Sequence, residues 1–138
     1  MNLTEELKTL TKDLTILYVE DEDDTRFQVS QILQLFFKEV FIGINGEEAL
    51  ELYKKHDVDL VMTDLTMPKM DGHSMILEIR KINPIQHIIV LTAHNSSENL
   101  MQTIDLQIDG FLLKPLKMDK LLTLLFKVTS TISLEKNQ

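Results

Sequence analysis

Residues 59–72 read DLVMTDLTMPKMDG: an apolar run reaches Asp64, Pro68 follows four positions later, and Asp71-Gly72 closes the stretch. Leu60, Val61 and Met62 are consecutive, the pattern of a strand buried on both faces rather than of one with a wet side. Pro cannot extend a ladder and Asp-Gly favours a turn, so the strand stops just past the carboxylate. A carboxylate held at a strand tip is a helix cap, a charge that solvates a loop, or a working group. The flanking segments decide among these.

Similar short runs lie on either side. Ile16-Leu17-Tyr18-Val19 ends in Glu20 and Asp21, Val40-Phe41-Ile42 is closed by Asn45-Gly46, and His87 to Leu91 and Phe111-Leu112-Leu113 follow later. Helical patterns separate them. Thr25 to Phe37 carries Phe27, Val29, Ile32, Leu33 and Phe36 at mixed three- and four-residue spacing. Glu47 to Lys55 is a second, and Gly72 to Ile82 a third, stopped by Asn83-Pro84. Ser96 and Ser97 offer caps for a helix through about Leu106, and Lys117 to about Thr131 forms the last. Every Gly and Pro falls between these elements or at their ends, which supports the division. Strands alternating with helices imply a parallel sheet covered on both faces, and right-handed crossovers leave few arrangements. The expected fold is α/β, a flavodoxin-like parallel sheet of these five strands in the order 2-1-3-4-5.

Composition narrows the function. With 138 residues, 43% hydrophobic and 26% charged, the chain is sized and balanced for one globular domain. It has no Cys, which excludes disulfides, zinc-thiolate sites and thiol nucleophiles and fits a cytoplasmic setting. No apolar run is long enough to span a membrane, and the N-terminus lacks the apolar core of a signal peptide. A net charge of −8 makes nucleic acid a poor direct partner and suits a cation or a basic protein surface.

The polar residues that interrupt the apolar strands stand at carboxyl ends: Glu20 and Asp21 after the first, Asp64 after the third, Thr92 after the fourth, Lys114 after the fifth. Open parallel sheets bind ligands at that edge, where strand order reverses. In the expected order, Asp21 and Asp64 meet there with Glu20 beside them, and Thr92 and Lys114 approach from the far side. Three clustered carboxylates repel, and one takes up a proton unless a partner relieves them. A divalent cation with oxygen ligands and the Lys114 ammonium are the available partners. Magnesium typically bridges one or two carboxylates to a phosphate, and Thr92 and Lys114 would suit the remaining phosphoryl oxygens. These are parts for phosphoryl transfer, with Asp64 central enough to be the nucleophile. Plainer readings stand beside this one. Glu20 to Asp23 would also serve as an acidic helix N-terminus, the better reading for Glu22 and Asp23; Thr92 would also serve as a strand-end residue and Lys114 as a surface cation.

LYVEDE (17–22), NGEEAL (45–50), DLVMTDLTMPKMDG (59–72), VLTA (90–93) and DGFLLKPL (109–116) follow one another in order. Over about Leu14 to Val128 the sequence resembles a receiver domain of the two-component response-regulator family. The resemblance implies that Asp64 accepts a phosphoryl group from a histidine kinase or a histidine phosphotransfer protein. It implies a Mg2+ site (Mn2+ serving in its place) made by Asp21, Asp64, the backbone carbonyl of Thr66, and Glu20 directly or through water. Thr92 and Lys114 would contact the phosphoryl oxygens, Phe111 would be the aromatic switch, and the Lys114-Pro115 peptide would be cis. Thr66 and His94, two residues beyond Asp64 and Thr92, would tune phosphoryl lifetime. A domain of this kind catalyses only its own phosphorylation and dephosphorylation.

Glu20 departs from the family, where Asp is commoner, and Phe111 lacks the hydroxyl of the frequent Tyr. Two rivals remain: a pseudo-receiver that only binds proteins, and an Asp-nucleophile phosphatase, which would need an acid where Thr66 stands. The receiver is expected over 14–130, with 131–138 a tail or the start of a linker. Residues 1–13, with Leu3, Leu7 and Leu10 in a stripe, form either a frayed leader or a small docking helix. The wide apolar band of the last helix packs on the core, and part of it would meet a downstream segment or a second copy. The face made by the 96–106 helix, the fifth strand and the last helix is where the resemblance puts a homodimer and the switched surface.

Overall fold

The computed structural model describes residues 1–65, 67, 69–93, 101 and 104–138. Its elements are α1 (Leu3–Thr11), β1 (Thr15–Val19), α2 (Asp23–Gln34), β2 (Glu39–Gly43), α3 (Gly46–Lys55), β3 (Leu60–Asp64), α4 (Gly72–Ile82), β4 (His87–Thr92), β5 (Gly110–Leu113) and, numbered along the described residues, α5 (Met118–Lys136). The helix expected from Ser96 to about Leu106 falls largely outside those residues. All strand pairs are parallel, in the order β2-β1-β3-β4-β5, as the alternation of runs implied.

Side chains alternate across each strand, so one sheet feeds two apolar layers. Tyr18, Met62, Ile89, Leu91 and Leu112 face α1, α2 and α5, where Leu7, Leu33 and Leu125 meet them. Leu17, Val19, Val61, Ile88 and Val90 face α3 and α4, against Ala49, Ile76 and Ile79. β3 is buried along its whole length, Asp64 included. Asp71 then starts α4, its side chain accepting from the Ser74 N–H at 2.8 Å. The intervening loop folds back on itself: the Gly72 N–H donates to the Leu65 carbonyl at 2.7 Å, and a Cβ on Gly72 would run into the Asp64 carbonyl. Only Gly lets α4 begin that close to the strand tip.

On the α2 side, Phe27, counted among the apolar residues at helical spacing, is 62% exposed. It lies two residues before Val29, about 200° around the helix from it, so the Val29-Leu33-Phe36 stripe turns it outward. Glu22 and Asp23 do form the acidic start of the helix, Glu22 at the N-cap and Asp23 in the first turn, although the Glu22 side chain makes no capping bond and Asp23 pairs with Arg26 at 2.6 Å.

The leader is a docked helix. Asn2 caps it by accepting from the Glu5 N–H, Leu7 is fully buried, and Thr11 Oγ1 lies 2.8 and 2.9 Å from the carbonyls of Leu7 and Phe36. Leu7 belongs to the same cluster as Leu121, Leu125, Val128 and Ile132, so the chain itself supplies a partner for the α5 band. Leu7→Ala is expected to lower stability by about 2 kcal/mol. That is the low end for a core leucine, because a nine-residue helix can undock rather than hold a cavity. An unchanged urea midpoint would mean that α1 is not held there in solution.

The last helix does not end near Thr131. It continues to Lys136 because its final turns have partners on the sheet: Ile132 is buried, Lys136 pairs with Asp59 at 3.0 Å, and Glu135 Oε1 meets His87 Nε2 at 2.6 Å. The other His87 nitrogen meets Asp109 at 2.8 Å. Burial alone would lower the His87 pKa, but the bonds to Glu135 and Asp109 outweigh it and leave it above 6.5. A histidine raised by folding stabilises fully below its unfolded pKa and loses that contribution as pH climbs through the folded value. His87→Gln should therefore cost on the order of 1 kcal/mol at pH 6 and progressively less by pH 9, read from paired melting curves. A difference between the two proteins that does not vary with pH would show that His87 is neutral throughout.

Candidate functional site

The carboxyl ends of β1, β3 and β5 converge. Register pairs Val19 with Thr63, so Glu20 and Asp64 are neighbours one step further on. One carboxylate oxygen each from Glu20, Asp21 and Asp64 lie within 4.8 Å of one another. Glu20 is fully buried, Asp64 is 7% exposed, and Asp21 faces solvent. The Lys114 ammonium sits between the two buried members, 2.7 Å from Asp64 Oδ2 and 2.9 Å from Glu20 Oε1. Its placement follows from β5, whose Lys114 N–H donates to the Thr92 carbonyl at 2.8 Å, and the Lys114-Pro115 peptide is cis. The second Asp64 oxygen, Oδ1, accepts from the Leu65 N–H at 2.8 Å.

Burial pushes the Glu20 carboxyl up to about 7; the Lys114 hydrogen bond pulls it back and the Asp64 charge raises it again. Burial would lower Lys114, but its hydrogen bonds to Asp64 and Glu20 prevail and it stays an ammonium ion. The cluster thus carries more negative charge than one lysine offsets. Hard oxygen donors, two of them buried and one open to solvent, fit a divalent ion of the magnesium type, which keeps part of its water shell.

Thr92 is almost completely buried at the end of β4, its hydroxyl 3.3 Å from the Ala93 carbonyl. Phe111, on β5, is 43% exposed. Thr66 and His94 fall outside the described residues, as does Pro68. The crevice therefore gathers Glu20, Asp21, Asp64 and Lys114.

Lys114 binds Glu20 as well as Asp64, and two further participants, Arg26 and Tyr18, carry no sequence signal for the site of the kind the strand ends give. Arg26 closes the back of the site, its Nη1 donating to the carbonyls of Glu20 at 3.1 Å and Asp21 at 3.3 Å. Its spacing from Asp23, three residues along a helix, was the available signal. Tyr18, two residues before Glu20 and hence on the same sheet face, is fully buried. Burial first, then the charges of Glu20 and Asp64, push its phenol far above the ordinary range, so it remains a protonated donor.

Residues 16–126 match the family model of the response regulator receiver domain. The chemotaxis protein CheY of Bacillus subtilis is 35% identical over 108 residues, covering 78% of this chain and 90% of that protein. A probable transcriptional regulator, ycf27 of Cyanidium caldarium, is 37% identical over 100 residues, but the chain spans only 40% of its length. Among solved structures, the REC domain of AraT, a response regulator from Geobacillus stearothermophilus, superposes with a TM-score of 0.82 at 32% identity, covering 89% of this chain and 98% of that one. With the sheet order and the family match in agreement, the chain belongs to the response regulator receiver domains.

Proposed function

We propose that this domain accepts a phosphoryl group on Asp64 from a histidine kinase or histidine phosphotransfer protein and relays it as a change in surface. The observation that carries the reading is the Lys114 ammonium bridging Asp64 and Glu20 at the carboxyl edge of the sheet. In the transfer, an Asp64 carboxylate oxygen forms the new O–P bond as the N–P bond of a phosphohistidine breaks, and the imidazole leaves with the electron pair. Lys114 follows the charge from the carboxylate to the phosphoryl oxygens, and Thr92 offers its hydroxyl to another. Glu20, Asp21, Asp64 and the Thr66 carbonyl would hold Mg2+, with Mn2+ as a substitute; the ion neutralises phosphoryl charge when bound. Thr66 and His94 would set the phosphoryl lifetime.

The acyl phosphate adds up to about two negative charges at the strand tip. Phe111 starts from a half-exposed position on β5. A shift of Thr92 and Phe111 would bias the surface of β5, α5 and the segment between β4 and β5 toward a partner or a second copy. The domain turns over no external substrate in this reading and works in the cytoplasm. Among the described residues no helix is long and apolar enough to cross a membrane. The acidic balance leaves nucleic acid off its proposed direct partners.

Intact-mass measurement after incubation with magnesium and a small phosphodonor tests the reading. One phosphoryl adduct per chain is expected. No adduct, together with no magnesium binding, would move the domain to a pseudo-receiver that only binds proteins.

A further inference from the structure

Among the described residues, the Tyr18 hydroxyl is the one buried side-chain oxygen or nitrogen without a hydrogen-bond partner. A phenol sealed from solvent is costly to leave unpaired, and such groups usually meet a protein atom or an internal water. Its surroundings show what it lacks. Tyr18 pairs in register with Met62, and Tyr18 and Met62 form the layer directly beneath Glu20 and Asp64 on the same sheet face. Glu20 has the complementary deficit. Its Oε1 is held by Lys114, whereas among the described residues Oε2 accepts only a long 3.3 Å bond from the Glu22 N–H, although the residue is wholly buried. One unpaired donor and one under-supplied acceptor thus lie a single layer apart. The Arg26 guanidinium, already bonded to the Glu20 carbonyl, supplies a third polar group there.

We infer that Tyr18 is a positioning residue for the acid cluster: its hydroxyl donates through one internal water to the Glu20 carboxylate and fixes that carboxylate for cation binding. The inference rests on the receiver reading above and adds a residue to it. It also gives Glu20 a use for its extra methylene, which lets the carboxyl reach both Lys114 above and the water below. On this inference an aspartate, one methylene shorter, gives up one of the two.

Tyr18→Phe removes the hydroxyl and keeps the ring. Titrating magnesium into unphosphorylated protein by calorimetry, the variant is expected to bind about tenfold more weakly than wild type, the low end for loss of an outer partner. Its urea midpoint should change by little, because the ring and its packing stay and a single water-mediated bond is lost. In a Glu20→Asp background the same substitution should produce no further weakening. Magnesium binding equal to wild type would make Tyr18 a plain core residue and overturn the inference, as would equal weakening in both backgrounds. Wild type that binds no magnesium would sink the receiver chemistry itself and this inference with it; wild type that binds and accepts a phosphoryl group while Tyr18→Phe matches it sinks the inference alone.

Discussion

Asp64→Asn is expected to abolish phosphoryl incorporation and to leave the fold intact. Asn keeps an oxygen that can accept from the Leu65 N–H and a planar group of the same size beside Lys114. What it loses is the anionic oxygen that would form the O–P bond. It also removes one of the clustered negative charges, which relieves Glu20, whose carboxyl is raised in part by Asp64. Stability should therefore change by less than about 1 kcal/mol, the ordinary range for a substitution that opens no cavity and strands no charge. Intact mass beside wild type gives the answer directly. An adduct of equal size on the variant would place the acceptor elsewhere and end the assignment to Asp64. Loss of the adduct together with loss of a cooperative unfolding transition would show that the carboxylate is structural first.

The sheet was legible because its signals are local and redundant. Consecutive apolar residues in β1, β3 and β4 announced strands buried on both faces, and turn residues bounded each one. Crossover rules then leave few arrangements, of which the flavodoxin-like order 2-1-3-4-5 is the common five-stranded one, and with it comes the meeting of Glu20, Asp21 and Asp64. What escaped depended on contacts between distant segments. The last turns of α5 carry Ser133, Glu135 and Lys136, which read as a polar tail until Asp59 and His87 appear as their partners. Phe27 falls within the apolar spacing of its helix, yet its angle, about 200° from Val29, turns it to solvent.

The site was readable for the same reason as the sheet, since strand ends in a parallel sheet share one edge. Its internal wiring was not. Nothing in the spacing of Glu20 and Lys114, 94 residues apart, says that one ammonium serves two carboxylates. Nor does an apolar strand announce that one of its members, Tyr18, hides an unpaired hydroxyl. The 1–13 leader was ambiguous because a helix of nine residues has little stability of its own, and only the α5 surface settles its state.

Lys114→Met should cost about 3 kcal/mol at pH 8, because it strands buried carboxylates that share one cation. Lys114 touches Asp64 at 2.7 Å and Glu20 at 2.9 Å, and Met fills similar volume without charge, so packing loss is a minor part. The pH dependence separates electrostatics from packing. Glu20 is already raised from 4.5 to about 7 in the fold, and Lys114 is among the influences holding it down, so the variant should raise it further. A carboxyl raised by folding contributes its stability below the unfolded pKa and loses it as pH climbs through the folded one. The variant should therefore approach wild type near pH 5, where Glu20 is neutral, and fall away above pH 7. Magnesium at pH 8 should restore part of the loss by supplying positive charge to the same oxygens. Urea midpoints at the two pH values, with and without the ion, measure each step. A deficit equal at both pH values would assign the cost to packing, and no deficit at pH 8 would mean that the carboxylates are hydrated rather than held by Lys114.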